Sequence, residues 1–132
     1  MIRDSAGNLY GTTEFGGTGN SGIVFKLNGG QGDAAVYLYR RDRRGLAHCR
    51  GNRDTAGNLY GNTLLGGASG AGAVFEVTSA GQEMVLHSFT GGDDGGYPFE
   101  ARLTLGPAGN LFGAAPSGGK ENGGVVYAIE TK

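Results

Sequence analysis

The sequence predicts an all-β array of repeated units, and three observations carry this prediction. One segment recurs as DSAGNLYGTT at 4–13, DTAGNLYGNT at 54–63 and GPAGNLFGAA at 106–115. Each copy is followed at constant spacing by a Gly-Gly pair, and then by an apolar run that begins with glycine. Repeats of roughly fifty residues are typical of stacked units that bury their apolar faces against one another. We therefore expect a single repeat region over residues 1–132, with copies that start near 4, 54 and 106.

The apolar runs predict one strand in each copy. They read GIVFKL at 22–27, GAVFEV at 72–77 and GVVYAI at 124–129. In each run an aromatic residue lies between two aliphatic residues, one two positions before it and one two positions after; these aromatics are Phe25, Phe75 and Tyr127. Because successive side chains of a strand point to opposite faces of the sheet, this alternation indicates a strand with one buried face.

The Asp-x-x-Gly start of the recurring segment predicts a tight turn. An aspartate at the first position of a type I turn accepts hydrogen bonds from the backbone that follows it. Glycine three residues later can take the left-handed conformation that leads into the next strand. We therefore interpret Asp4 and Asp54 as turn formers rather than catalytic acids.

Further strands complete the predicted unit. EMVLHSF at 83–89 is a candidate strand, TGGDDGGYP at 90–98 a glycine-rich turn, and EARLTL at 100–105 another candidate strand. Four short strands in a unit of this length are typical of a propeller blade. Since propellers close with about four to eight blades, three copies predict a partial, β-propeller-like array with open ends.

Composition excludes several classes of protein. The chain of 132 residues has 29 glycines, a net charge of −1 and one cysteine, so an internal disulfide is impossible and no overall charge attracts nucleic acid or anionic membranes. No apolar run is long enough to span a membrane, and the N-terminal residues have no apolar core of a signal peptide.

The motifs together resemble a known family. They are similar to the GloVer (Gloeo/Verruco) tandem repeat of bacterial choice-of-anchor proteins. In chain order, the motifs are Asp-x-x-Gly-Asn-Leu-Tyr-Gly-x-Thr, Gly-Gly, Gly-x-Val-Phe-x-Leu and Ser-Phe-Thr-Gly-Gly. The resemblance covers nearly the whole chain and is weakest over 33–53. It implies propeller-like repeats in an exported protein, extracellular or on the cell surface, of unknown biochemical role.

The segment 34–53 departs from the repeat and holds the residues that look most like a site. It contains Cys49, His48, two tyrosines and six of the eleven basic residues: Arg40, Arg41, Arg43, Arg44, Arg50 and Arg53. One interpretation is a nucleic-acid or phosphate-binding loop in which Tyr37 and Tyr39 stack on bases. A second is a Cys-His nucleophile pair, and a third is genuine divergence.

A reading-frame error is the interpretation that we favour for 34–53. A one-base shift of permitted codons turns this stretch into LYTFTGGTDGAWP, which aligns without gaps with LHSFTGGDDGGYP at 86–98. A second shift near Asn52 would restore the frame before the next copy. In that case Cys49, His48 and the arginines have no selected role, and we expect no nucleic-acid partner.

Few other residues suggest chemistry. Asp93 and Asp94 are the only calcium candidates, because hard cations bind clustered carboxylates in flexible loops, but glycine with aspartate is also ordinary turn chemistry. His87 has no second histidine or cysteine at ligand spacing, and we expect it at a half-buried or edge position. We therefore predict no catalytic residue, no cofactor and no metal site beyond the weak candidates Asp93 and Asp94.

Three functional interpretations stay open at the level of sequence. The leading one is a non-enzymatic repeat module of an exported bacterial surface protein, acting as a scaffold or binding ligands on loops 12–20 and 62–71. The alternatives are a fragment of a propeller hydrolase or lactonase and a non-functional product of a frameshifted gene. For any of them, an open array exposes strand edges, so self-association through those edges is expected.

Overall fold

The computed structural model describes residues 1–13, 15–17, 20, 22–27, 29, 47–98 and 101–131, without the side chains of 47–51. These residues form ten strands in three antiparallel sheets. The first sheet contains β1 (Ile2–Arg3), β2 (Leu9–Thr13) and β3 (Ile23–Leu27). The second contains β4 (Ala47–Arg53), β5 (Leu59–Thr63), β6 (Ala73–Val77) and β7 (Glu83–Ser88), and the third β8 (Thr104–Leu105), β9 (Leu111–Ala115) and β10 (Val125–Ile129).

This architecture confirms the predicted all-β repeat fold. Each recurring segment lies in a different sheet, the first strand of each sheet precedes that segment in the chain, and neighbouring strands in every sheet are joined in sequence order as a meander. The second sheet has four strands, as predicted for a unit, but its first strand, β4, lies in the segment 34–53, whereas the strand predicted over 100–105 pairs in the third sheet as β8. The described residues of the first and third sheets supply three strands each. A short 3-10 turn at Lys120–Asn122 lies between β9 and β10. The described sheets form an open, propeller-like array rather than a closed barrel.

Corresponding strands pair in the same register in every copy. Gly11 on β2 lies opposite Phe25 on β3, and Gly113 on β9 lies opposite Tyr127 on β10. A Cβ atom added to Gly11 would lie 2.6 Å from Cζ of Phe25, so the aromatic ring lies directly over the glycine backbone. The glycine of each Leu-Tyr/Phe-Gly motif thus makes room for the aromatic residue that the sequence places on the neighbouring strand.

The glycine-rich loops after β2, β5 and β9 close in the same way. The amide of Gly22 donates to the carbonyl of Gly16 at 3.2 Å, Gly72 donates to Gly66 at 3.0 Å, and Gly124 donates to Gly118 at 2.9 Å. The constant spacing of the glycines therefore gives the same closing hydrogen bond in the loops after β2, β5 and β9.

The core lies between the stacked sheets. Tyr10 and Val24 of the first sheet pack with Leu59, Phe75 and Val77 of the second. From the opposite face of the second sheet, Tyr60 and Val74 pack against the third sheet in a cluster that includes Leu111, Val125, Tyr127 and Ile129. The second sheet consequently has apolar neighbours on both faces.

The predicted single buried face holds for only one of the three apolar runs. In β10, Val125, Tyr127 and Ile129 are partly buried while Val126 and Ala128 are exposed. In β6 every residue is buried, because the second sheet lies between two others. In β3 the most buried residue is Val24, which belongs to the other face, because that face is the one covered by the second sheet.

The strand predicted over 100–105 is shorter in the structure. Only Thr104–Leu105 pairs with a neighbouring strand, and residue 100 lies outside the described residues. The carbonyl of Ala101 instead accepts a hydrogen bond from the Asn62 side-chain amide at 2.9 Å, and the carbonyl of Leu103 accepts one from Asn52. These side-chain amides of the second sheet take the place of strand pairing along 101–103. Their hydrogen bonds join the second and third sheets.

Candidate functional site

The turn before β2 is organised around the carboxylate of Asp4. The backbone amide of Asn8 donates to Oδ1 at 2.9 Å, and the Asn8 side-chain amide donates to Oδ2 at 2.8 Å. The hydroxyl of Tyr10 also donates to Oδ2, at 3.0 Å. Gly7 completes the turn at a φ of 84°, in the left-handed region that the sequence predicts.

The second copy repeats this arrangement. Asp54 accepts from the Asn58 backbone at 2.8 Å, from the Asn58 side chain at 2.9 Å and from the Tyr60 hydroxyl at 3.0 Å. The Tyr60 hydroxyl also lies 3.3 Å from Oε1 of Glu76, a buried carboxylate on β6. Tyr60 therefore links the turn to the interior between the second and third sheets.

The third copy keeps the turn and replaces the carboxylate and phenol together. Gly106 occupies the aspartate position and Phe112 the tyrosine position. The backbone bonds persist, since the Gly106 amide donates to Asn110 at 2.8 Å and the Gly109 amide donates to Gly106 at 3.0 Å. A Cβ atom on Gly106 would lie 2.7 Å from the Phe112 ring, so the ring fills the space of the missing side chain.

These hydrogen bonds determine the ionisation of the two turns. The Asn8 side chain, followed by the Asn8 backbone, Tyr10 and Arg53, lowers the pKa of Asp4 from 3.8 to about 2, although desolvation opposes the shift. Desolvation also opposes the shift at Asp54, but the bonds from Asn58 and Tyr60 outweigh it and lower the pKa. Desolvation, together with Asp54 and Glu76, raises the pKa of Tyr60 to about 12. Both carboxylates are therefore poor proton acceptors near neutral pH.

A cleft of about 370 Å³ opens where the first and second sheets meet. Its polar side is formed by Asp4, Asn8, Lys26 and Arg53, and its apolar side includes Leu59 and Val77. Lys26 and Asn8 are not among the site residues that the sequence predicts. The signal that the sequence holds for them is the recurrence of Asn and Tyr at fixed distances from the turn aspartate, and this recurrence favours a structural role.

Arg53 reaches from the second copy into the turn of the first. Its guanidinium Nη2 lies 3.7 Å from Oδ2 of Asp4, and its Cζ lies 5.4 Å from the centre of the Tyr10 ring. Lys26 approaches the same ring, with Nζ at 5.7 Å from the centre. Two cations around an electron-rich ring and a carboxylate form a polar contact between sheets. Arg53, which the sequence groups with the arginine-rich segment, thus lies within the repeat architecture.

The calcium candidates occupy the predicted turn at 90–98. Asp94 accepts from the Thr90 backbone at 3.0 Å and from the Thr90 hydroxyl, and its Oδ2 lies 3.1 Å from Nε2 of His87. The Thr90 side chain, followed by its backbone and by His87, lowers the pKa of Asp94 against the effect of burial. Asp93 is exposed. The Asp94 carboxylate is therefore engaged in the turn itself, and His87 lies partly buried on β7, as expected.

The remaining candidates all belong to the segment 34–53. The side chains of His48, Cys49 and Arg50 lie outside the described residues, as do the positions Tyr37, Tyr39, Arg40, Arg41, Arg43 and Arg44. Among the described residues, no group of three or more His, Cys, Asp or Glu side chains could hold a metal ion. In the same residues, no helix has the length and apolar character needed to cross a membrane.

Comparison with known proteins identifies the repeat. The family model of the Gloeobacter/Verrucomicrobia repeat matches residues 1–132, which is the whole chain. Neither the curated proteins nor the solved structures contain a significant match. The match includes the turns, glycine loops and apolar strands described above, in agreement with the resemblance of the motifs. The chain therefore belongs to the Gloeobacter/Verrucomicrobia repeat family.

Proposed function

We propose that this chain is a non-enzymatic repeat module of an exported bacterial surface protein, in which stacked sheets form a scaffold for ligand-binding loops. The observation that carries the proposal is the use of the repeated polar residues. In both copies that contain the aspartate, its carboxylate accepts the same three hydrogen bonds from its own turn. Residues that satisfy one another within a repeat unit support a structural rather than a catalytic role.

The loops after β2 and β5 are the proposed ligand-binding positions. Residues 12–20 and 62–71 leave the same end of adjacent sheets, and the closing glycine bonds hold both loop ends while the residues between them differ. A rigid scaffold with variable loops is a common basis for recognition. Location on the bacterial surface rests on the family resemblance alone.

Cell fractionation tests the proposed location. An antibody against the chain should label intact cells of the source bacterium or detect the protein in the culture medium. A signal confined to the cytoplasmic fraction would contradict export and leave the scaffold role to be judged separately.

Hydrolysis assays test the non-enzymatic role against the propeller hydrolase alternative. Purified chain should show no turnover of ester or lactone substrates above buffer, with or without added Ca²⁺, Mn²⁺ or Zn²⁺. Metal-dependent turnover that disappears in Asp54→Asn or Asp94→Asn, with folding retained by circular dichroism, would favour the enzyme.

Sequencing the coding DNA tests the third alternative, the non-functional product of a frameshifted gene. Codons incompatible with the shifted reading of 34–53 would exclude the frameshift.

A further inference from the structure

The cleft between the first and second sheets carries an excess of positive charge. Among the described residues that line it, the charged ones are Asp4, Lys26 and Arg53, so one carboxylate faces two cations. The whole chain, by contrast, has a net charge of −1. A cleft with apolar walls and a local positive charge attracts anions, because its walls screen the field less than water does.

The guanidinium of Arg53 has hydrogen-bonding capacity that the described residues do not use. Oδ2 of Asp4 lies 3.7 Å from Nη2, which is beyond hydrogen-bond distance, and it already accepts from the Asn8 side chain and the Tyr10 hydroxyl. Nε of Arg53 is buried and has no hydrogen-bond partner among the described residues. Because buried donors are normally paired, this donor favours a further acceptor at the cleft. The Arg53 side chain is 29% exposed, so the guanidinium can be reached from outside.

Lys26 brings the second cation to the same space from the first sheet. Its Nζ lies 5.7 Å from the centre of the Tyr10 ring, and Cζ of Arg53 lies 5.4 Å from the same centre. Within the part of the chain that the structure describes, Lys26 has this ring contact and no ion pair. A ring contact leaves the ammonium charge in place. The two cations therefore flank one aromatic ring with a single carboxylate between them.

The next interface shows that the repeat does not need these cations. By strand register, Glu76 on β6 occupies the position of Lys26, and Leu105 on β8 occupies that of Arg53. Glu76 is buried beside the Tyr60 hydroxyl, and Leu105 packs against the apolar cluster between the second and third sheets. The same scaffold thus packs with an acid and an aliphatic side chain at these positions. The pair of cations is particular to the first interface, which supports a role beyond packing.

We propose that this cleft binds a small organic monocarboxylate, with the carboxylate between Lys26 and Arg53 and an apolar body against Leu59 and Val77. One negative charge balances the excess of one cation. The guanidinium fork matches a carboxylate in a bidentate arrangement, and a carboxylate held side-on by Nε and Nη2 supplies the acceptor that Nε lacks. A volume of about 370 Å³ lies within the range of small-molecule sites.

This site is separate from the loops to which we assign ligand binding above. The cleft includes the turn that precedes β2, whereas loop 12–20 follows β2 and loop 62–71 follows β5. The proposal therefore does not depend on what those loops bind.

An NMR titration of the isotope-labelled whole chain with 3-phenylpropionate tests the proposal. The expected result is a saturable shift of the backbone amides that line the cleft, with a Kd on the order of 1 mM for a ligand of this size. The uncharged 3-phenylpropanamide lacks the carboxylate charge, and propionate lacks the ring. Each should bind at least roughly ten-fold more weakly, because each makes only one of the two kinds of contact.

Variants of the charged residues separate a built site from general attraction. Lys26→Gln and Arg53→Leu should each weaken binding of 3-phenylpropionate by roughly ten-fold or more, the latter with the residue of the third copy. Arg3→Leu is the matched control, because Arg3 occupies the corresponding position of the first copy and does not line the cleft. Its affinity should equal that of the wild type. Asp4→Asn should tighten binding several-fold, because it removes the competing negative charge.

The gain expected from Asp4→Asn is a result that damage to the fold does not produce. Circular dichroism establishes that each variant has the wild-type fold before its affinity is compared. The absence of a saturable shift at the cleft in the wild type would overturn the proposal. Equal affinity for 3-phenylpropionate and its amide would do so too, as would a loss with Arg3→Leu as large as that with Lys26→Gln.

Discussion

The middle sheet and the outer sheets are built from the same repeat but differ in what covers them. Every residue of β5 and β6 is buried, whereas exposed residues alternate with buried ones along β9 and with partly buried ones along β10. Val74 and Val126 are the same residue at the same position, yet Val74 is fully buried and Val126 is 85% exposed, so at this position the difference arises from the neighbours and not from the side chain. A unit of this family therefore obtains much of its stability from adjacent units, as in other repeat arrays.

Truncation of the central aromatic should give the largest contrast between the two environments. Phe75 is 2% exposed in the middle sheet, and its counterpart Phe25 is partly buried on the face of the first sheet that does not contact the second. We expect Phe75→Ala to lower the free energy of unfolding by about 3–5 kcal/mol because it opens a cavity between two sheets. Phe25→Ala should cost about 1–2 kcal/mol, because water already reaches part of its ring.

Urea unfolding followed by circular dichroism measures both effects. Equal losses for the two variants would show that the outer sheet is as fully packed as the middle one, against the comparison above.

The tyrosine hydroxyls sharpen the comparison on a smaller scale. Tyr60 is 3% exposed and donates to Asp54 beside the buried Glu76, whereas Tyr10, which is 6% exposed, lines the cleft between the first two sheets. We expect Tyr60→Phe to cost about 1–3 kcal/mol, because it leaves buried carboxylate oxygens with one donor fewer. Tyr10→Phe should cost about 0.5–1.5 kcal/mol, because water can replace the lost donor.

Thermal unfolding of the two variants checks this order. Phe112, which already has no hydroxyl, provides the control: Phe112→Ala should leave the Asp54 turn unaffected. A larger loss of stability for Tyr10→Phe than for Tyr60→Phe would contradict this order. It would mean that the tyrosine hydroxyl stabilises the protein more at the cleft than in the interior.

Acid should weaken the turns of the first two copies and spare that of the third. The pKa of Asp4 is lowered to about 2, foremost by the Asn8 side chain, and that of Asp54 is also lowered. A carboxyl group whose pKa is lower in the folded state stabilises the fold above its unfolded value, and this stabilisation is lost as pH falls through the folded value. The expected loss therefore occurs from about pH 4 down to about pH 2.

The midpoint of urea unfolding between pH 6 and pH 2 measures this dependence. Asp4→Asn should flatten the curve in that window, because its amide does not titrate. Gly106 supplies the comparison, since no carboxylate titrates in the third turn. A slope that Asp4→Asn and Asp54→Asn both leave unchanged would assign the acid sensitivity to other groups.

The sequence predicts the local structure of the repeat better than it predicts the contacts between copies. Turns and strands follow from patterns within a few residues, and Gly7, Gly57 and Gly109 all have the positive φ that the turn requires. The contact of Arg53 with Asp4 depends instead on which sheet faces meet, which no spacing within a copy specifies. The same holds for Val24, whose burial is decided by the neighbouring sheet. The sequence shows that the third copy lacks both the Asp and the Tyr. Only the structure shows that these two side chains are hydrogen-bonded to each other in the first two copies.

The smallest expected effect concerns the loop position at which both outer copies have asparagine and the middle copy has glycine. Asn20 and Asn122 have positive φ values of 55° and 56°, and each side chain accepts a hydrogen bond from the first glycine of its loop, at 2.8 and 2.7 Å. Gly70 occupies this position in the middle copy with a φ of 76°, and a Cβ atom there would meet nothing within 4 Å. Asparagine tolerates this conformation and restricts the unfolded chain. Gly70→Asn should therefore raise the free energy of unfolding, by at most about 0.5–1 kcal/mol.

Gly72→Ala is the matched control in the same loop, because its Cβ atom would collide with the carbonyl of Thr63 and with Pro98. Urea unfolding should separate the two variants in sign; a clear loss with Gly70→Asn would show that the middle loop differs from the outer loops in more than this residue.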